Sequence, residues 1–189
     1  MDYTLGITEY IEKEREVLSA LDVNSINEAM NRLMKTREDG SDVYVFGNGG
    51  SASTAGHYVG DFNKGVSDAL GGNMFRFHCL SDNMATMMAI ANDYCYEDIF
   101  IKQLIGKLRP EDVVIGISGS GNSENVVRAI AYAKEVGATV IGVTGYSGGK
   151  VKELSDISLH ADIDDMQIAE DIHLVFNHLM MGVLCRMGK

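Results

Sequence analysis

The chain has 189 residues, of which 46% are hydrophobic and 23% charged, a balance that supports one full-sized core and excludes a disordered or collagen-like polymer. Its formal net charge of -11 repels nucleic-acid backbones and anionic membrane surfaces, so no direct nucleic-acid partner is expected and any bound phosphate must be held by local geometry. In chain order, apolar positions at helical spacing predict two amphipathic helices over residues 4–20 and 25–37, the second carried by Ile26, Ala29, Met30, Leu33 and Met34. Residues 42–46 (DVYVF) are β-branched and aromatic and stop at GNGGSAS, which reads as a strand, a glycine-rich loop and a helix start.

The same grammar recurs downstream. Residues 74–80 (MFRFHCL) predict a second strand, and 84–106 a helix broken around Asn92 and Asp93. Residues 112–117 (DVVIGI) form the clearest strand, followed by SGSGNS and an amphipathic helix over 124–136. Residues 138–144 (ATVIGVT) predict a further strand ended by GYSGGK, 157–161 a short last one, and 166–187 the closing helix. Strands alternating with helices call for a three-layer α/β/α sandwich around a mainly parallel sheet of flavodoxin-like type, with an N-terminal helical extension and ligands at the carboxyl ends of the strands.

Three scattered cysteines, Cys79, Cys95 and Cys185, without a CxxC pair, argue against a disulfide framework or a thiolate zinc site. No apolar run approaches the roughly 20 residues that span a bilayer, and residues 1–20 carry acids where a signal peptide needs a basic start. A cytoplasmic protein with no membrane partner is expected. The eleven methionines, among them Met84, Met87, Met88, Met180 and Met181, read as packing or subunit contacts.

The first loop, Gly47 to Ser53 in sequence, places flexible backbone before a helix whose free amides and dipole favour an anion. Alone it is equally a capped turn. The second loop, Ser118, Gly119, Ser120, Gly121, Asn122 and Ser123, adds three hydroxyls at another helix start. Two such loops on equivalent strand ends, neither with the Lys of a P-loop, point to a phosphate ester and away from ATP bound in the Walker manner.

GNGGSAS, then His57, then NDYCYEDIF at 92–100, then GISGSGNS at 116–123, in that order and spacing, resemble the phosphoheptose isomerases of the sugar isomerase (SIS) family. VTGYSGGK at 143–150 and the closing EDIHLVFNH extend the resemblance over nearly the whole chain. It implies a single SIS domain over 1–189, with the helices of 1–40 used in oligomer packing and 41–189 as the sugar-phosphate-binding core. It further implies a homotetramer whose sites are shared between subunits, and a zinc ion near the sugar, other divalent ions being alternatives. By position, Asn48, Gly49, Gly50, Ser51, Ser118, Gly119, Ser120 and Ser123 match the family's substrate and phosphate contacts, with Gly119 standing where the family often has Thr. Asn92 and Asp93 match its sugar-contacting pair.

The metal and catalytic positions depart further. His57 matches a ligand His, but Asp61 stands where the family has a Glu that binds metal and acts as base, one methylene longer. Glu170 stands where the family has a substrate- and metal-binding Gln, and His178 matches the His that is both ligand and acid. The implied metal set is His57, Asp61, Glu170 and His178, one negative charge richer than the family's. His57 and Asp61, four apart, face the same way on a helix, which suits joint ligation. The family commonly has a basic residue soon after its Glu, where this chain reads Asp61, Phe62, Asn63, Lys64, Gly65, and Gln167 replaces an acidic residue. His78 and His173 receive no role.

The leading reading is an aldose–ketose isomerase acting on a phosphorylated sugar, most simply sedoheptulose 7-phosphate to a D-glycero-D-manno-heptose 7-phosphate. A carboxylate, Asp61 or Glu170, takes the proton beside the carbonyl, and His178 moves a proton at oxygen. The second reading is a non-catalytic SIS sugar-phosphate sensor or a replication-initiator-associating adaptor, and the third an isomerase for another ketose phosphate.

Overall fold

A computed structural model describes residues 1–188. The chain opens with α1 (Thr4–Ser19) and α2 (Val23–Asp39), the latter started by the Asp22 carboxylate accepting from the Asn24 amide and stopped by Gly40 in the left-handed region. Then follow β1 (Val43–Gly47), α3 (Gly50–Gly60), a π-helical turn over Asp61–Val66, α4 (Ser67–Leu70) and β2 (Phe77–Cys79). After these come α5 (Met84–Asp93), a 3₁₀ turn over Tyr96–Asp98, α6 (Ile101–Leu104), β3 (Val113–Ser118) and α7 (Glu124–Val136). β4 (Thr139–Thr144), α8 (Gly149–Leu154), β5 (Ile157–His160) and α9 (Met166–Met187) complete the chain.

The five strands form one sheet in the order β2-β1-β3-β4-β5, every neighbouring pair parallel. This is the flavodoxin-like doubly wound order, whose switch point falls between β1 and β3. Both glycine–serine loops therefore leave adjacent strands at the carboxyl edge of the sheet. Alternation along the strands splits the core in two. Val43, Val45, Val113, Ile115, Ile117, Ile141 and Val143 face one side, with Tyr58, Phe62, Ile172 and Phe176 from the helices. Tyr44, Phe46, Val114 and Val140 face the other, with Phe100, Leu104, Val126 and Ile130. At the opposite edge the fully buried Asp112 carboxylate accepts from the Asp42 and Arg109 amides, both at 2.9 Å, tying the starts of β1 and β3 so that their far ends stay level.

The closing helix is more apolar than the absence of a long apolar run implies. At 22 residues α9 is long and apolar enough to cross a bilayer by length and composition, although Glu170, Asp171 and Arg186 interrupt any apolar run. Its buried stripe of Ile168, Ala169, Ile172, Phe176, Met180 and Leu184 packs on the sheet side of the fold, and it carries Glu170, Asp171, Asn177 and His178. The second strand is also shorter than expected, three residues, because only Phe77, His78 and Cys79 pair with β1.

His173, on the same buried stripe, is 1% exposed, and neither ring nitrogen has a hydrogen-bond partner among the described residues. Burial pushes its imidazole down to about 4 from 6.5, helped by the neighbouring His160. A base whose pKa falls on folding makes the folded state bind fewer protons, so this site destabilises the fold as pH drops from about 6.5 to about 4 and changes nothing above that window. At 1.36 kcal/mol per pH unit the loss is about 3 kcal/mol. Denaturant midpoints at pH 7.5 and 4.5 for the wild type and His173→Leu should diverge by that order, and equal pH dependence in the two proteins would remove His173 as the cause.

Candidate active site

The first loop begins where β1 ends. Gly47 has no room for a side chain, since a Cβ there would lie 2.6 Å from the Ser51 Cβ and 2.8 Å from the Ile117 carbonyl oxygen, and this close approach brings α3 over the end of β3. Gly49 takes φ 53° and caps α3 without a side-chain hydrogen bond, so no side chain occupies the Gly50 and Ser51 amides, while the Ala52 amide turns back to the Gly49 carbonyl at 3.1 Å. At α7 the capping position is Ser123, and its hydroxyl also makes no cap bond; it lies 3.1 Å from the Ser118 hydroxyl instead. Two helix N-termini with uncapped amides thus converge on one place.

That place is a cavity of about 180 Å³ lined by Asn48, Ser51, Ile117, Ser118, Gly119, Ser120, Ser123, Met166 and Glu170. The lining holds no cationic side chain and one carboxylate, Glu170, so an anion there is held by amides, hydroxyls and helix dipoles at the end away from that acid. Of the residues expected to contact substrate, the structure gathers Asn48, Ser51, Ser118, Gly119, Ser120, Ser123 and Glu170 here, with Gly49 and Gly50 forming the loop alongside. Asn92 and Asp93 do not line it. They are exposed at the end of α5 and bond to each other at 2.9 Å.

Two residues that the sequence reading passed over complete this half. Asn125 is 1% exposed and pairs reciprocally with Asn48, each amide donating to the other's oxygen at 2.9 Å, while the Tyr96 hydroxyl donates to the same Asn48 oxygen at 2.9 Å. One Asn48 amide hydrogen remains free, aimed by three bonds. The signal was a polar residue on the buried stripe of α7 between Ser123 and Val126.

The second half lies where α3 meets α9. Past Gly60 the helix widens into the π turn, and two residues lock that turn to β2. Phe62 stacks on Phe77 with centroids 4.6 Å apart, and Asn63 bonds the Phe77 amide at 2.7 Å and its carbonyl at 2.9 Å. Gly65 lets α9 approach closely, since a Cβ there would sit 2.5 Å from the Met181 methyl. Asp61 consequently faces α9. Its Oδ2 lies 3.4 Å from His57 Nε2 and 3.7 Å from His178 Nε2, and the two imidazole nitrogens are 3.2 Å apart. Asn177 Nδ2 donates to the same Oδ2 at 2.6 Å.

His57, Asp61 and His178 offer three ligand atoms within 4.8 Å of one another. Two imidazoles and a carboxylate suit a zinc-type divalent ion with a fourth position open, so the donor set fits the metal that the resemblance implies. Glu170, also expected in that set, is not one of these three. It lies eight residues before His178, about 12 Å along the helix, and is outside the group. Its carboxylate rests on the N-terminal turn of α3, where a Cβ on Gly50 would be 2.4 Å from Oε2.

A cavity lined by the two glycine–serine loops and a His–Asp–His cluster therefore share one edge of the sheet. The chain belongs to the SIS domain family, whose model matches residues 9–145. It is 34% identical over 189 residues to the phosphoheptose isomerase of Helicobacter pylori strain P12, covering 96% of this chain and 92% of the relative. The solved phosphoheptose isomerase of Neisseria gonorrhoeae superposes with TM-score 0.85 at 27% identity, over 96% of this chain and 95% of that one. That of Francisella tularensis superposes with TM-score 0.84, also at 27% identity, over 98% and 100%.

Proposed function

We propose that the protein is a phosphosugar isomerase that converts sedoheptulose 7-phosphate to a D-glycero-D-manno-heptose 7-phosphate. The observation that carries this reading is the Asp61 carboxylate 3.7 Å from the His178 imidazole, on the same sheet edge as a cage of amides and hydroxyls free of cations. The relatives' activity supports it. The cage holds the phosphate, and the aimed Asn48 amide and Glu170 hold the sugar above it. Asp61 takes a proton from the carbon next to the carbonyl and returns it to the neighbouring carbon. His178 moves the matching proton between the two oxygens, so the substrate is rearranged with no net gain or loss. When bound by His57, Asp61 and His178, a divalent ion supplies Lewis-acid charge at the reacting oxygens.

The same reading makes the protein a cytoplasmic homotetramer of single SIS domains. Leu5, Ile7, Ile11 and Leu18 on α1 are exposed, which supports packing of the 1–40 helices against other copies. The charge of -11 supports a small phosphorylated partner over a polyanion or a membrane.

Purified protein assayed on sedoheptulose 7-phosphate, before and after chelation and with zinc restored, tests the reading. Turnover that chelation removes and zinc restores is expected. Ligand-induced thermal stabilisation without turnover would shift the assignment to a sugar-phosphate sensor.

A further inference from the structure

We infer that Asn177 is a positioning residue that aims the Asp61 carboxylate at the two imidazoles. The inference rests on the reading of Asp61 as base and ligand. Asn177 is fully buried beside Phe176, and its Nδ2 donates to Asp61 Oδ2 at 2.6 Å, while its own Oδ1 is buried without a partner among the described residues. A buried amide with one end unpaired costs stability, so packing alone favours an apolar residue at this position. The bond it does make falls on the one oxygen that also faces His57 at 3.4 Å and His178 at 3.7 Å.

Asp61 sits on the π turn, where the backbone ladder is irregular, and its carboxylate can rotate about two side-chain bonds. The Asn177 amide removes that freedom from the side away from solvent. Because Asn177 precedes His178 in the chain, one turn of α9 carries both an imidazole and the donor that orients the carboxylate opposite. Outer partners of this kind affect metal affinity or activity by about 10–100-fold when removed.

Asn177→Leu keeps the branched shape and deletes both polar ends, and Asn177→Ala, which cannot overpack, guards against a Leu variant that fails to fold. For each, three quantities are read: melting temperature, zinc affinity of the apoprotein by competition with a chelating dye, and kcat and KM on sedoheptulose 7-phosphate. Expected are a melting temperature of the Leu variant at or above wild type, zinc affinity and kcat each down about 10–100-fold, and KM within about twofold because the cage is untouched. Wild-type zinc affinity and kcat in a folded variant would overturn the inference, as would losses that track a fall in melting temperature. If the wild type itself neither turns over nor binds zinc, the site assignment fails and the inference falls with it; a working wild type with indifferent variants sinks the inference alone.

Discussion

His178→Ala lowers kcat on sedoheptulose 7-phosphate by about 10²–10⁴-fold, the span that a positioned acid–base group contributes. The side chain is half exposed, so its truncation leaves the fold intact, and surface changes of this kind stay within about 0.5 kcal/mol. KM moves little, since the proposed phosphate cage of Ser118, Ser120 and Ser123 lies on a loop apart from α9, which carries His178. Steady-state kinetics with a circular-dichroism control on the same preparation read both quantities. Turnover at the wild-type rate would show that the acid–base centre lies elsewhere on this edge.

Gly121→Ala has the largest expected effect on the fold. Gly121 takes φ +67°, and a Cβ there would lie 1.9 Å from the Gly148 carbonyl oxygen and 2.4 Å from its carbon, both backbone atoms that cannot turn away. The left-handed strain and the forced separation of two loops together cost about 2–5 kcal/mol. The bond from the Val151 amide to the Gly121 carbonyl, 2.9 Å, is lost with them, so α8 loosens as well. Urea denaturation should show a midpoint lowered accordingly, with sugar-phosphate protection in thermal shift abolished. A variant as stable as wild type would mean that the loop at 145–149 yields freely.

The layer order and both phosphate-type loops were legible in the chain because each strand announces itself by a short β-branched run and stops at glycine and serine. Position along the sheet was not stated by any one segment, yet the alternation of strands and helices allowed few arrangements besides the doubly wound one. The π turn was invisible. Nothing in DFNKGV differs from an ordinary helix, and the widening follows from Phe62 and Asn63 gripping a strand fourteen residues downstream.

Asn125 and Asn177 escaped for a related reason. Each is a polar residue on a stripe that burial would assign to apolar side chains, and their partners lie 77 and 116 positions away in the chain. Periodicity sees the misfit but not the mate. Asp61 and His178 stood out only through resemblance to a family, since a lone acid and a lone imidazole on helices are ordinary surface residues until a fold brings them together. Glu170 shows the converse: it lines the cavity beside the serine loop and stands apart from the group of His57, Asp61 and His178.

The run of α9 from Glu170 to His178 acts as a ruler. On the proposed reading one end of this rod holds the sugar next to the cage and the other moves its proton, so the distance between the two contacts is set by a count of helical residues. Removing one residue between them would shorten the span by about 1.5 Å and swing His178 through about 100°, off Asp61 altogether. On that reading the spacing of the two contacts is a property of a helix and not of a loop.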